Sequence, residues 1–170
     1  MTADGGPGGL GDPAKLVEVR LLQLPVALWA RAAEHADELM REFTLIAADA
    51  RTDGASSVPA RLVTLVEELS SMYGGFGAGP EDQLNRAAAD GVESIDLVFR
   101  VPAEVGPAAR HLGELLDEAD EYCRRGQHLL TLATPADQRE LRWWYLRQFV
   151  DQTAGAPPVP WPERERSATA

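Results

Sequence analysis

The ten residues LRWWYLRQFV, 141–150, place the hardest demand on any fold this chain can adopt. On a helical wheel Leu141, Trp144, Tyr145 and Phe149 share one face. Trp143, Leu146 and Val150 share another, roughly 140° away at 3.6 residues per turn. Arg142 separates the two faces on one side, and Arg147 and Asp151 on the other. A surface helix needs one apolar stripe. A helix with two needs a layer on each side, or it leaves an apolar patch for a partner. Three covers are open: a second layer of the same domain, a docked protein, or Trp161 folding back from the proline-rich end. Tryptophan, tyrosine and arginine dominate interface hot spots. Arg142, Trp143, Leu146, Arg147 and Val150 are therefore the candidate partner contacts.

The rest of the chain supplies the layers. KLVEVRLLQL (15–24) is rich in β-branched residues and leucine and closes at Pro25, which predicts a strand. From 26 to 48, Val26, Trp29, Ala32, Ala33, Ala36, Leu39, Met40, Phe43, Ile46 and Ala47 form one wide stripe opposite a charged face, an amphipathic helix. RTDGASS (51–57) reads as a loop, and a helix is expected over 59–73, ended by GGFGAGP. A short helix over 81–90 stops at Gly91. ESIDLVFRVP alternates, with Ile95, Leu97, Phe99 and Val101 on one face and Asp96, Val98 and Arg100 on the other, and Pro102 ends this strand. A helix over 103–125 follows, then a short apolar run, HLLTLAT (128–134). Thr134, Pro135 and Asp137 spell a helix start, with threonine as N-cap. A lone strand is unstable, so the strand near 16–23 is expected to pair with 94–101. The expectation is a helix-dominated α+β domain: four long helices and one short helix on a two- or three-stranded sheet. The glycine- and proline-rich segment 1–14 and the proline-rich segment 154–170 are expected to be disordered tails around one domain, 15–153.

Charge and composition then narrow the function. The 170 residues suffice for one domain with a core, and the formal net charge is −11. So acidic a surface repels phosphate backbones and anionic lipid, so nucleic acid and membrane are poor partners. The single cysteine, Cys123, excludes an intrachain disulfide, and the N-terminal residues lack the basic and apolar regions of a signal peptide. No apolar run has the length of a membrane span. The cytoplasm is the expected compartment.

No catalytic constellation stands out. His35 and His111 lie near carboxylates at helical spacing, but the chain has three histidines and one cysteine and none forms HExxH, CxxC or a paired ExxH set. Surface or boundary histidines are the favoured reading, and neither metal nor cofactor is expected. The acidic stretch GELLDEADEYC (113–123) spreads its carboxylates over an outer face, as a solvated surface does. SSMYGGFGAGP has glycines without the lysine of a phosphate loop.

The stretches VRLLQLPVALWARAAEHADELMREFTLIA and VPARLVTLVEELSSMYGGF, continuing through ESIDLVFRVP, LLDEADEYC, LLTLATP and WWYLRQFV, resemble a group of uncharacterised actinobacterial proteins encoded beside ATP-binding anti-sigma kinases and STAS-domain antagonists. The order strand, long helix, then helix with Glu67 and Ser71 also resembles the first half of the histidine-kinase-type ATPase fold. There the second position is an asparagine that helps hold magnesium; serine here, and PAEVGPAAR where a DxGxG is needed, imply a copy without ATP chemistry. The resemblance implies a non-enzymatic regulatory protein acting by protein contact in sigma-factor or stress signalling. An anti-sigma or STAS-type regulator is the implied partner, with a homodimer as a further option. The alternative is a small-molecule or nucleotide-sensing domain without hydrolysis, for which Glu67, Ser71, Tyr73 and Arg100 are the candidate ligand contacts.

Overall fold

The computed structural model describes residues 16–52, 64, 81–125 and 133–161. They form β1 (Leu16–Pro25), α1 (Val26–Thr52), α2 (Glu81–Ala89), β2 (Ser94–Pro102), α3 (Val105–Arg125) and α4 (Ala136–Thr153). The class is α+β, helix-dominated with a two-stranded sheet. Three of the described helices are long and one is short. Apart from Thr64, which is helical, the helix expected over 59–73 lies outside the described residues, as do the glycine-rich stretch after it, residues 128–132 and both chain ends. α1 continues to Thr52, into the stretch expected to be a loop from 51.

β1 and β2 pair antiparallel, with Val17 opposite Val101, Val19 opposite Phe99 and Leu21 opposite Leu97. This register places both apolar sets on one face, the driving force that period-two alternation supplies. Between Leu21 and Leu24 the ladder shifts: Leu22 and Gln23 stand against Asp96 alone. Gln23 takes φ +57 there, and its N–H donates to Asp96 Oδ1 at 2.7 Å. Strict alternation would turn Leu24 outward. The bulge returns it to the core, where Leu21 and Leu24 are both fully buried.

α2 and α4 end alike. Gly91 (φ +68) and Gly155 (φ +95) occupy the left-handed position that follows a helix. Val92 N–H reaches Ala87 O, and Ala156 N–H reaches Asp151 O. These are the six-to-one bonds of a Schellman stop. α4 begins at Ala136, one residue later than the threonine-cap reading: Pro135 is the N-cap and no side chain caps it. The Thr134 hydroxyl instead accepts a hydrogen bond from Arg142 Nη1.

α4 is the central element. Leu141, Trp144, Leu146 and Phe149 are buried, and α3, β1 and α1 all pack on it. Gly106 and Gly113, two helical turns apart on α3, face it. A Cβ on Gly113 would stand 3.2 Å from Trp143 Cη2 and 3.4 Å from Leu146 Cδ1. A Cβ on Gly106 would overlap the Thr153 hydroxyl. Glycine lets the two backbones close on each other, so α3 itself covers the second apolar face of α4.

The segment after α4 adds a further cover. Trp144 Nε1 donates to Val159 O at 2.9 Å, and Trp161 meets the Trp144 ring edge-to-face at 5.6 Å. Gln148 Oε1 accepts from Val159 N–H, and Gln152 bonds both backbone groups of Arg20 on β1. Residues 154–161 thus belong to the packed domain, where the sequence reading ended it at 153. Two buried glutamines satisfy backbone groups that a purely apolar helix would leave orphaned.

Candidate functional site

A cavity of about 280 Å³ lies between α1, α3 and α4. Its α1 wall is Trp29, Ala32, Ala33, His35 and Ala36, and α3 contributes Leu112 and Leu116. The opposite wall holds Thr134, Gln138, Arg142 and Tyr145. Short alanine side chains create the space. Ala32, Ala33 and Ala36 belong to the stripe predicted to be inward, yet all three are only half-buried, whereas Val26, Leu39 and Phe43 of the same stripe are buried. Arg31 Nη2 of α1 and Asp137 Oδ2 of α4 pair at 2.7 Å, a further link between these two helices.

Three side-chain polar atoms among the described residues are buried with no hydrogen-bond partner: His35 Nε2, Gln138 Oε1 and Arg142 Nε. All three residues line this one cavity. Leaving such an atom unmet costs about 1–3 kcal/mol each, so native folds seldom do so without reason.

Arg142 is held firmly. Its Nη2 donates to Asp117 Oδ1 and to Asp120 Oδ2, both at 2.7 Å. Asp120 is buried, with 1% of its surface exposed, and also accepts Thr134 N–H at 2.8 Å. Burial alone pushes its carboxyl up, but the hydrogen bonds from Thr134 and Arg142 together outweigh that and hold it below the usual aspartate range. With Nη1 and Nη2 both engaged, Nε is the one guanidinium nitrogen that meets no partner. Two carboxylates offset its charge, so it acts as an oriented donor more than as an anion trap.

The expected site residues separate under this geometry. The five candidate partner contacts do not form an open patch, because the glycines of α3 allow it to lie over them. Leu146 is buried, Trp143 and Val150 are half-buried, and Trp143 Nε1 faces Asp117 Oδ1 at 3.3 Å. Arg142 is turned into the cavity and the acidic clamp, with its side chain 14% exposed. Arg147 alone is well exposed, at 74%, and it pairs with Asp151. Of the ligand candidates, Glu67, Ser71 and Tyr73 lie outside the described residues, and Arg100 is exposed on β2, away from the cavity lining.

His35, read from sequence as a surface or boundary residue, has its Nε2 fully buried. His111 is exposed and stands 3.8 Å from Glu114. Among the described residues no group of three histidine, cysteine, aspartate or glutamate side chains is placed to hold a metal. Burial, with Asp120 and Glu42 adding, pushes the Cys123 thiol up to about 11, which keeps it protonated and unreactive at neutral pH. Gln138 and Trp29 escaped functional notice in the sequence. A signal exists: Gln138, Arg142 and Tyr145 recur at i, i+4 and i+7, as do Trp29, Ala33 and Ala36. Such a face carries polar groups where a core stripe should be apolar.

No described helix is long and apolar enough to cross a membrane. Compared with protein-family models, curated proteins and solved structures, the chain matches none.

Proposed function

We propose that this chain is a small-molecule-binding domain that works without catalysis. Its cavity takes a compact, neutral, planar ligand carrying both a hydrogen-bond donor and an acceptor, of the cyclic amide or amide-bearing heterocycle class. The observation that carries this reading is that His35, Gln138 and Arg142, each with a buried polar atom that meets no partner, all line one cavity. Gln138 Oε1 requires a donor from the ligand, and Arg142 Nε–H requires an acceptor. His35 Nε2 serves either need according to its tautomer. Trp29 and Tyr145 supply aromatic walls and Leu112 and Leu116 apolar ones, the mixture that small-molecule sites use.

Size and charge favour this class over nucleotides. A volume of about 280 Å³ falls below the roughly 300–1,000 Å³ of drug-sized sites. The one cation in the described lining is already paired to two carboxylates, so a polyphosphate gains little there. Catalysis is disfavoured because the described lining has no serine, cysteine or lysine nucleophile, and its aliphatic hydroxyl, that of Thr134, is engaged by Arg142. His35 and Asp37 are two apart on α1 and do not face each other as a base and its orienting carboxylate must.

A regulatory role through an apolar face of α4 loses its surface to α3. A sensing domain can still serve a regulatory protein of the kind the resemblance implies, with the ligand carrying the signal. Thermal unfolding in the presence of benzamide, nicotinamide and uracil, set against benzoate and ATP, tests the reading. A ligand at 100 times its dissociation constant adds about 2.7 kcal/mol of stability. The neutral amides are expected to raise the melting temperature of the wild type, and benzoate and ATP are not. If no neutral compound shifts it, or if the shift survives in Gln138→Leu, the cavity is not such a site.

A further inference from the structure

The second edge of β2 is unpaired by any described element, and its sequence is complementary to itself. Gln152 occupies the outer edge of β1 by bonding both Arg20 N–H and Arg20 C=O. Those two groups therefore point away from β2. In an antiparallel ladder the residue opposite must then turn its own N–H and C=O the other way. That residue is Val98. By the same alternation Arg100, opposite Glu18, also offers its backbone groups to the open edge. The Val98 side chain is 53% exposed on the outer face of the sheet.

We propose that two copies of this chain pair through β2, antiparallel about a two-fold axis at Val98, forming a four-stranded sheet in the order β1–β2–β2–β1. Centring the axis on Val98 sets Val98 against its own copy and exchanges both of their N–H···O=C bonds. Two positions away, Asp96 of each copy meets Arg100 of the other, twice by symmetry. Arg100 makes no ion pair within the described residues. Asp96 spends Oδ1 on the Gln23 N–H and keeps Oδ2. On the inner face Ile95 meets Val101, and Leu97 meets Phe99. Ile95, Phe99 and Val101 are only half-buried in the single chain and gain cover.

Neighbouring registers lose this match. An axis at Arg100 opposes arginine to arginine, and one at Asp96 opposes aspartate to aspartate, each a like-charge pair on adjacent strands. An axis at Phe99 sets Arg100 against Val98 and leaves the charges without opposites. Pro102, which has no N–H, ends the ladder at the strand boundary. Open strand edges are hazards that folds cover or charge. Here the charges both deter wrong pairing and specify the right one.

Sedimentation equilibrium of the full chain tests the pairing, with amide hydrogen exchange as the second readout. The wild type is expected to be dimeric, and the Val98 and Arg100 amides, which no β1 group can bond, are expected to exchange slowly. Arg100→Glu is expected to weaken association by about tenfold or more, because it sets two like-charge pairs against each other. The Asp96→Arg/Arg100→Glu double variant is expected to restore the dimer. A monomeric wild type, an association constant unchanged by Arg100→Glu, or fast exchange at Val98 in a dimer each overturns the proposal. Because the wild-type exchange pattern needs no substitution, the test stands even if the double variant fails to fold.

Discussion

α4 meets its two helical neighbours in opposite ways, and both contacts are built from small residues. Towards α3, Gly106 and Gly113 remove every side-chain atom, and Trp143 and Leu146 rest against helix backbone. Towards α1, Ala32, Ala33 and Ala36 are small but not absent, and the helices stand apart around about 280 Å³. In the first contact Arg142 Nη1 and Nη2 bond Thr134, Asp117 and Asp120, and Asp120 also takes the Thr134 N–H. The second leaves three polar atoms unmet. One side is therefore organised for stability, whereas the other gives up stability around a space, as binding sites commonly do.

Substitution on the tight side separates the two contacts most forcefully. Asp120→Ala leaves Arg142 with Asp117 as its only carboxylate and strands the Thr134 N–H, and removing one partner of a buried pair costs about 3–5 kcal/mol. Urea unfolding is expected to show a loss of that order, with the slope unchanged. A loss under 1 kcal/mol, the level of an exposed pair, would mean the clamp is solvated.

Gly113→Val drives two methyl groups into Trp143 and Leu146. Overpacking of this kind costs about 1–3 kcal/mol. That outweighs the few tenths of a kcal/mol by which valine exceeds glycine in helix propensity. A variant as stable as the wild type would show that α3 and α4 are less closely seated than the geometry requires.

Acid sharpens the same contrast more gently. The Asp120 carboxyl is held below its ordinary value, so its contribution to stability is complete above the unfolded aspartate pKa of about 3.9. It is lost only as the pH falls through the lower folded value. Asp120→Asn is expected to lose stability at neutral pH and to show a shallower decline below about pH 4 than the wild type. Parallel acid-unfolding curves for the two proteins would contradict that assignment.

Much of the fold could be read from residue order. The alternation of Ile95, Leu97, Phe99 and Val101 specified β2, and the stripe through Val26, Leu39 and Phe43 specified α1. The paired strands followed because neither is stable alone. The β1 bulge was not legible, since LLQL has the same polarity whether or not Leu22 and Gln23 share one partner residue. Nor was the docking of 154–161, because PPVPW has the composition of an extended tail. Gly155 and Trp161 were its only signals.

The site was hidden for a related reason. An alanine stripe looks identical in sequence whether the next helix touches it or stands away from it. Glycine at 106 and 113 carried the fact that decided the second face of α4, yet isolated helical glycines read as weak points before their neighbours are known. His35 looked like a boundary residue because its own helix has charges on either side, and the burial of its Nε2 depends on the elements packed around α1.

The central claim is that the polar atoms of the α1–α4 cavity serve a ligand and not the fold. Urea unfolding of ligand-free Gln138→Leu measures this most directly. Replacing an unmet buried amide by an apolar group of similar size is nearly neutral or stabilising, so the variant should be at least as stable as the wild type. A loss of 1 kcal/mol or more would show that Gln138 holds the domain together, as a bonded core residue does, and would remove the basis for a binding site there.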